Sequence, residues 1–291
     1  MKTRYAMETV YLNGTFLPSA EALISPNDRG FLFADGVYEV MRWYEKGFLA
    51  AQLHQNRLKR SLHEIRLYSA EADKLLSIAG ELISRNNLEG QHALVYIQIT
   101  RGTAPRTHQF PLPPVTPTCY AFARAINPEQ NESILGVNVG LVNDIRWSRC
   151  DIKSIALLPN ILAYQEAVEK GFHENLFVRN GVISEATHSN IFFVRNGKVL
   201  THPESVYILS GITRKLVIDL CCELNIPVEE RAISSDELPY VEEAFLTSTS
   251  AEVLPVTHLE GVPIGSGVAG PVTSQLQIAF REMVEREIQT F

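Results

Sequence analysis

The chain has no run approaching the roughly 18 consecutive apolar residues of a membrane-spanning helix, so no membrane partner is expected. No basic surplus exists either. The net charge is −7, no Lys/Arg block exceeds a few residues, and general nucleic-acid binding is not expected. Cysteine is scarce: Cys119, Cys150, Cys221 and Cys222 form no CxxC pair and no Cys/His spacing suited to a metal. They read as reduced thiols acting as small buried hydrophobes, with no metal site. The start, Met1-Lys2-Thr3-Arg4-Tyr5, leads into no apolar h-region, so no secretory leader is expected and the cytoplasm is the expected location. Internal repeats and low-complexity tracts are also lacking.

What is present is an ordinary globular composition, with 45% hydrophobic residues in 291, enough for one large or two medium cores. Val10 to Gly14 reads as a strand entering a turn. Leu53 to Leu67 sets Leu58, Leu62 and Ile65 on one helical face, and Leu75, Leu76, Ala79, Leu82 and Ile83 mark a second amphipathic helix. Ala93 to Ile99 and Thr118 to Arg124 read as strands, separated by a loop with four prolines between Pro111 and Pro117. The polar stretch from Asn127 to Ser133 is the expected interdomain linker. Beyond it, Asn180-Gly181 and Asn196-Gly197 sit between apolar runs and predict two-residue hairpins, because both residue types tolerate positive φ. Helices return at Thr213–Leu224 and Val272–Glu287. The interleaving predicts a mixed α/β (α+β) chain of two domains: 1–126, a linker at 127–134, and a larger C-terminal domain at 135–291 that carries Lys153.

Four segments carry possible chemistry. Arg149-Cys150-Asp151-Ile152-Lys153-Ser154 sets a lysine before an apolar helix, where desolvation makes an amine a better imine-forming nucleophile; a solvated surface lysine fits the same segment. The Asn180-Gly181 hairpin leads to Glu185 and the strand Ile191 to Val194, and a carboxylate so placed can pair with a protonated pyridine nitrogen or simply face water. Leu209-Ser210-Gly211-Ile212-Thr213-Arg214 opens a helix from a glycine turn. Its free N–H groups and a hydroxyl make either an anion cradle or an ordinary helix start, and Thr247-Ser248-Thr249-Ser250 adds more hydroxyls. Arg106 and His108, at i and i+2 in an extended loop, share a side where an arginine fork suits a carboxylate; a solvated polar loop is the alternative.

The order of these pieces resembles the fold-type IV, or class IV, pyridoxal-5′-phosphate (PLP) aminotransferases, closest to the D-amino-acid aminotransferases. The stretches that carry the resemblance are Asp28-Arg29-Gly30 with Asp35 to Val40, Arg101 to Phe110, Asp144 to Trp147 with Arg149 to Ser154, Gly211 to Arg214, and Thr247 to Thr249. Together they span nearly the whole chain, from about Tyr11 to Glu287.

The resemblance implies a two-domain fold-type IV PLP enzyme. Lys153 would hold PLP as a Schiff base and shuttle the proton. Glu185 would partner the pyridine nitrogen. Arg57, Ile212, Thr213, Ser248 and Thr249 would hold the phosphate, and Leu209 would pack near the ring. Tyr38, Arg106 and His108 would trap the substrate carboxylate, the last two reaching it from the neighbouring subunit of a homodimer. The implied reaction moves the amino group of a D-amino acid such as D-alanine to a 2-oxo acid, with 2-oxoglutarate as the expected acceptor. A branched-chain L-aminotransferase is the main alternative, and aminodeoxychorismate lyase a further one. The chain departs from the D-specific pattern in carrying Ala186-Thr187-His188 after Glu185, where the group usually has small serines. Arg42 and Trp43 lie near where side-chain specificity is expected to be set.

Overall fold

The computed structural model describes residues 8–127 and 136–290. The first seven residues and all of the expected linker beyond Asn127 lie outside the described part. By its internal contacts the chain divides into two compact units. Unit 1 takes Met1–Asn127, Ile152–Ala156 and Glu287–Phe291, and unit 2 takes Pro128–Asp151 and Leu157–Arg286. The expected assignment of Lys153 to the C-terminal domain is therefore corrected. Its five-residue segment belongs with unit 1 because Ile152 is in that unit's core and Ser154 bridges Val37.

Unit 1 is built on a seven-stranded antiparallel sheet. Its strands are β1 (Thr9–Leu12), β2 (Thr15–Pro18), β3 (Gly36–Tyr44), β4 (Gly47–Phe48), β5 (His92–Thr100), β6 (Thr118–Ala125) and β16 (Gln289–Thr290), in the order β16-β4-β3-β5-β6-β1-β2. A short helix, α1 (Arg29–Phe33), precedes β3. Alternation decides which face of the sheet is covered. Val95, Ile97 and Ile99 of β5 point into a core with Leu58 and Leu62 of α2 (Ala51–Glu64) and Ile78 and Leu82 of α3 (Leu75–Arg85). The other face carries a stack of rings, Tyr38 on Tyr96 at 5.6 Å and Tyr96 on Phe122 at 5.2 Å. Strand β3 was not legible as a strand because its inward positions are Val37, Glu39, Met41 and Trp43, with a charge where a hydrophobe belongs. Trp43 lies in this core against Phe48, so its bulk fills the core.

Unit 2 holds a nine-stranded mixed sheet. Its strands are β7 (Val137–Asn143), β8 (Glu174–Arg179), β9 (Val182–Ala186), β10 (Asn190–Arg195), β11 (Lys198–Thr201), β12 (Val228–Glu230), β13 (Glu243–Ser248), β14 (Glu252–Leu259) and β15 (Val262–Pro263). Eight run in the order β12-β11-β10-β13-β14-β7-β8-β9, and β15 pairs with β14 off this path. The two Asn-Gly hairpins form with two-residue loops. Arg179 pairs with Val182 and Arg195 with Lys198, and both central residues of each loop have positive φ. Leu176, Ile183, Ile191, Phe193, Leu246 and Leu254 form the core on one face. Helices α4 (Leu158–Glu169), α5 (Ile212–Glu223) and α6 (Pro271–Glu287) complete the unit. The reading of the cysteines as buried hydrophobes holds for Cys119, Cys150 and Cys221, but Cys222 is exposed because α5 turns it outward. All four are free thiols, and no helix among the described residues is long and apolar enough to cross a membrane.

Candidate active site

Unit 1 contains Tyr38, Arg57, Arg106, His108 and Lys153. The Lys153 segment lies antiparallel to the start of β3, with Tyr38 N donating to Lys153 O at 2.9 Å and Ile155 N to Gly36 O at 3.1 Å. Gly36 is needed there, since a Cβ would stand 2.8 Å from Ile99 O and 3.1 Å from Ile155 Cδ1. Lys153 N also donates to Ser61 Oγ at 3.3 Å, which ties the segment to α2. The lysine side chain is half-buried, and its Nζ stands 4.3 Å from the centre of the Tyr38 ring.

Next to it lies a buried charge cluster with no counterpart in the sequence reading. Glu39 accepts from Arg57 Nη2 at 2.6 Å and Nε at 2.9 Å, and its Oε1 lies 3.0 Å from His54 Nδ1. Burial alone would raise the Glu39 carboxyl, but Arg57 and His54 more than offset it and hold the group well below the usual carboxylate range. His54 is pushed down chiefly by burial, against the pull of Glu39 and with Arg57 and Lys153 adding to the push. Two of the three Arg57 nitrogens are thus committed to Glu39. The His54-x-x-Arg57 spacing, nearly one helical turn, was the available signal, but nothing local pointed to Glu39 on another element.

Arg106 and His108 are exposed on the loop after β5 and pack on the same ring. Arg106 Cζ is 5.1 Å from the Phe33 centroid, and the His108 ring 5.7 Å.

Unit 2 contains Glu185, Leu209, Ile212, Thr213, Ser248 and Thr249. Glu185 is buried at the end of β9. Its Oε1 accepts from Arg146 Nη1 at 2.5 Å, and its Oε2 from Leu209 N at 3.0 Å and Asn190 Nδ2 at 3.1 Å. Burial raises this carboxyl above its usual range in spite of Arg146. Arg146 is itself forked onto Asp144, Nε to Oδ1 at 2.9 Å and Nη2 to Oδ2 at 3.0 Å. Asp144-x-Arg146, at i and i+2, was the visible sign of a same-side pair, but its link to Glu185 was not.

Asn190 ties the set together. Besides Glu185 it donates to Leu209 O at 2.9 Å, and it faces Thr247 across the β10–β13 ladder. It also explains Gly211, whose Cβ would fall 2.0 Å from Asn190 Oδ1. Gly211 is the N-cap of α5, no side chain among the described residues caps the helix there, and Ile212 and Thr213 are buried in its first turn. The Thr247 hydroxyl is buried without a partner among the described residues. Ser248 Oγ is engaged locally, accepting from Ala251 N at 3.1 Å, and Thr249 stands at the turn beyond. His188 turns away from this set. Its Nδ1 lies 3.1 Å from the buried Glu174 and its ring packs edge-on to Tyr164 at 5.3 Å.

Unit 2 therefore presents two opposite affinities. A carboxylate has about four acceptor sites, and Glu185 accepts from Arg146, Leu209 and Asn190, which leaves room for one more N–H. The α5 start offers N–H groups that no side chain among the described residues caps, and the buried Thr247 hydroxyl of the same unit is also without a partner among them, which suits an anion. A ring cation bearing a phosphate satisfies both.

Comparison with known proteins agrees with this chemistry. The amino-transferase class IV family model matches residues 36–259. A D-alanine aminotransferase of Staphylococcus haemolyticus is 40% identical over 282 residues, 96% of this chain and 99% of the relative. Among solved structures, the Escherichia coli branched-chain amino acid aminotransferase aligns with a TM-score of 0.89 at 25% identity, covering 97% of this chain and 96% of the other. A branched-chain amino acid aminotransferase from T.th., solved with pyridoxamine 5′-phosphate, aligns at 0.87 and 27%, covering 97% and 95%. The mixed α/β architecture is thus that of the fold-type IV enzymes, and the chain belongs to the class IV aminotransferases.

Proposed function

We propose that this chain is a PLP-dependent D-amino-acid transaminase that moves the amino group of substrates such as D-alanine to a 2-oxo acid, with 2-oxoglutarate as acceptor. The observation that carries the choice of substrate is the seating of Arg106 and His108 on one ring, in a chain 40% identical to a D-alanine aminotransferase over 96% of its length.

When bound, PLP supplies an electron sink that acidifies the Cα–H of the amino acid. The protein does the rest. Lys153 would hold the cofactor through its amine, and the same amine would take the Cα proton and return it. Glu185 holds the ring nitrogen protonated. The α5 start at Ile212 and Thr213, with Arg57, Ser248 and Thr249, would hold the phosphate, and Leu209 would pack on the ring. Tyr38, Arg106 and His108 grip the α-carboxylate and so decide which enantiomer presents its hydrogen to Lys153. Arg106 and His108 act on the neighbouring subunit of a homodimer. Leu23, Phe31 and Leu112, which are 83%, 78% and 91% exposed on unit 1, supply apolar surface for that second copy. The four free thiols accord with a reducing cytoplasm.

The branched-chain L-aminotransferase reading is favoured by the solved structures that align at TM-scores up to 0.89, though at 25% identity. Measuring kcat/KM for D-alanine, L-alanine and L-leucine with 2-oxoglutarate separates the two, with D-alanine expected to lead. A preference for L-leucine over both alanines overturns the D-specific reading. Arg106→Leu is expected to raise the KM for D-alanine about tenfold or more, because a charge-assisted bond is worth roughly 1.5–3 kcal/mol.

A further inference from the structure

The loop that presents Arg106 and His108 is exposed along its whole tip, yet it is held at three points by groups of its own unit, two buried arginines and the half-buried Phe33. Asp35 accepts from Arg29 Nε at 2.8 Å, from Arg101 Nε at 2.8 Å and from Arg101 Nη2 at 3.0 Å. Both guanidinium groups are buried and go on to touch the loop. Arg29 Nη1 donates to the carbonyl of Thr107 at 2.7 Å, the residue between Arg106 and His108. Arg101 lies over the Phe110 ring, 3.6 Å from its centre, and so holds the far end.

The third point is Phe33, at the end of α1. One side of its ring environment is Arg29, with Cζ 4.8 Å from the centroid. The exposed Arg106 and His108 pack on the same ring, at 5.1 and 5.7 Å. A long arginine side chain left free in water samples many rotamers, and ordering it on binding carries an entropic cost. A ring that already holds the guanidinium removes part of that cost.

We infer that Phe33, fixed in place by the Asp35–Arg29–Arg101 cluster, is a positioning residue for substrate binding: it pre-orders Arg106 and His108 for the carboxylate and touches no reacting atom. The inference rests on the reading of Arg106 and His108 as the carboxylate grip. It adds that the grip is set by an aromatic platform and by a backbone pinned at Thr107. It places the effect of Phe33 in KM, since a pre-ordered grip alters carboxylate binding and leaves Lys153 and the phosphate-binding helix start untouched.

The test is a double-mutant cycle on the holoenzyme with Phe33→Leu, Arg106→Leu and the pair, reading kcat and KM for D-alanine, the cofactor absorbance spectrum and the thermal midpoint. Loss of an exposed cation–π contact corresponds to about twofold to fivefold in affinity, so Phe33→Leu, which loosens His108 as well, is expected to raise KM about threefold to tenfold. Its kcat should stay within about twofold and its spectrum should be unchanged. Phe33→Tyr keeps the ring and should restore KM. Because Phe33 acts through Arg106 and His108, the effect of Phe33→Leu should be clearly smaller in the Arg106→Leu background than in wild type. If Arg106→Leu raises KM while Phe33→Leu leaves it within twofold, or if the two effects multiply in full, the positioning role is wrong and the grip stands. If Arg106→Leu itself leaves KM unchanged, the grip reading fails and the inference falls with it. Should Phe33→Leu not fold, Asp35→Asn tests the same pins and must reproduce the rise in KM at preserved kcat; a fall in kcat with KM unchanged overturns the proposal.

Discussion

Replacing Glu185 by glutamine separates the chemical use of this carboxylate from its structural use. In the native chain Oε1 accepts from Arg146 Nη1 at 2.5 Å, and Oε2 from Leu209 N and Asn190 Nδ2 at 3.0 and 3.1 Å. A glutamine satisfies only one of these ends, because its NH2 cannot accept. The lower-cost arrangement keeps the amide oxygen on Leu209 and Asn190 and turns the NH2 towards Arg146. That loses one hydrogen bond between charged groups, worth about 1.5–3 kcal/mol. Two effects reduce the loss. Arg146 keeps its fork on Asp144, so it is not left unpaired. Burial already disfavours the charge on Glu185, so removing that charge recovers desolvation energy. The net cost in unfolding free energy should be about 1–2 kcal/mol. Turnover should fall much further, by at least a hundredfold, or about 2.7 kcal/mol in activation free energy, because a neutral amide cannot keep the ring nitrogen protonated. Urea unfolding of the apo-protein and kcat with D-alanine and 2-oxoglutarate measure the two quantities. Turnover within twofold of wild type, with the fold intact, refutes the assignment. A loss of turnover no larger than the loss of stability makes Glu185 a structural carboxylate only.

Lys153→Ala is expected to abolish the visible absorbance of lysine-bound cofactor and to lower transamination by several orders of magnitude; a borohydride-reducible linkage surviving in the variant shows that another amine is the anchor. Arg57→Ala should weaken PLP affinity about ten- to a hundredfold. It also strands the buried Glu39, at about 3–5 kcal/mol of unfolding free energy. Adding Glu39→Gln should recover much of the stability and none of the PLP affinity, and denaturation with PLP titration of both variants checks this. Stability should also fall in acid. His54 is held below its usual 6.5 by burial, so the unfolded chain gains that proton first, and stability present above about pH 6.5 is lost as pH falls. Glu39, held low by Arg57 and His54 against burial, adds a second loss as pH falls below its usual 4.5. Thermal midpoints from pH 8 to 4 should trace both, with His54→Gln flattening the upper limb; midpoints that rise from pH 7 to 5 contradict the scheme.

Several features were determined by local sequence alone, because each follows from short-range geometry. The Asn180-Gly181 and Asn196-Gly197 turns needed only residues that accept positive φ. Strand β5 and the helices α2, α3 and α5 followed from periodicity, though α2 stops at Glu64 because Arg66 takes a positive φ just beyond it. The segments around Lys153, Glu185 and Gly211 could each be singled out, because amine, carboxylate and uncapped helix start each have a chemical signature. Tertiary structure alone decided their neighbours. Glu39 occupies an inward position of β3 because Arg57 and His54 reach it from α2, 18 and 15 residues away in sequence. Arg146 meets Glu185 across 39 residues, and Asn190 joins Glu185 to Leu209 across a sheet edge. Lys153 joined unit 1 because Ile152 fits that unit's core and its backbone pairs with β3. A buried charge can be recognised only from what surrounds it. Periodicity, which reports one residue's side of one element, carries no information about a partner supplied by another.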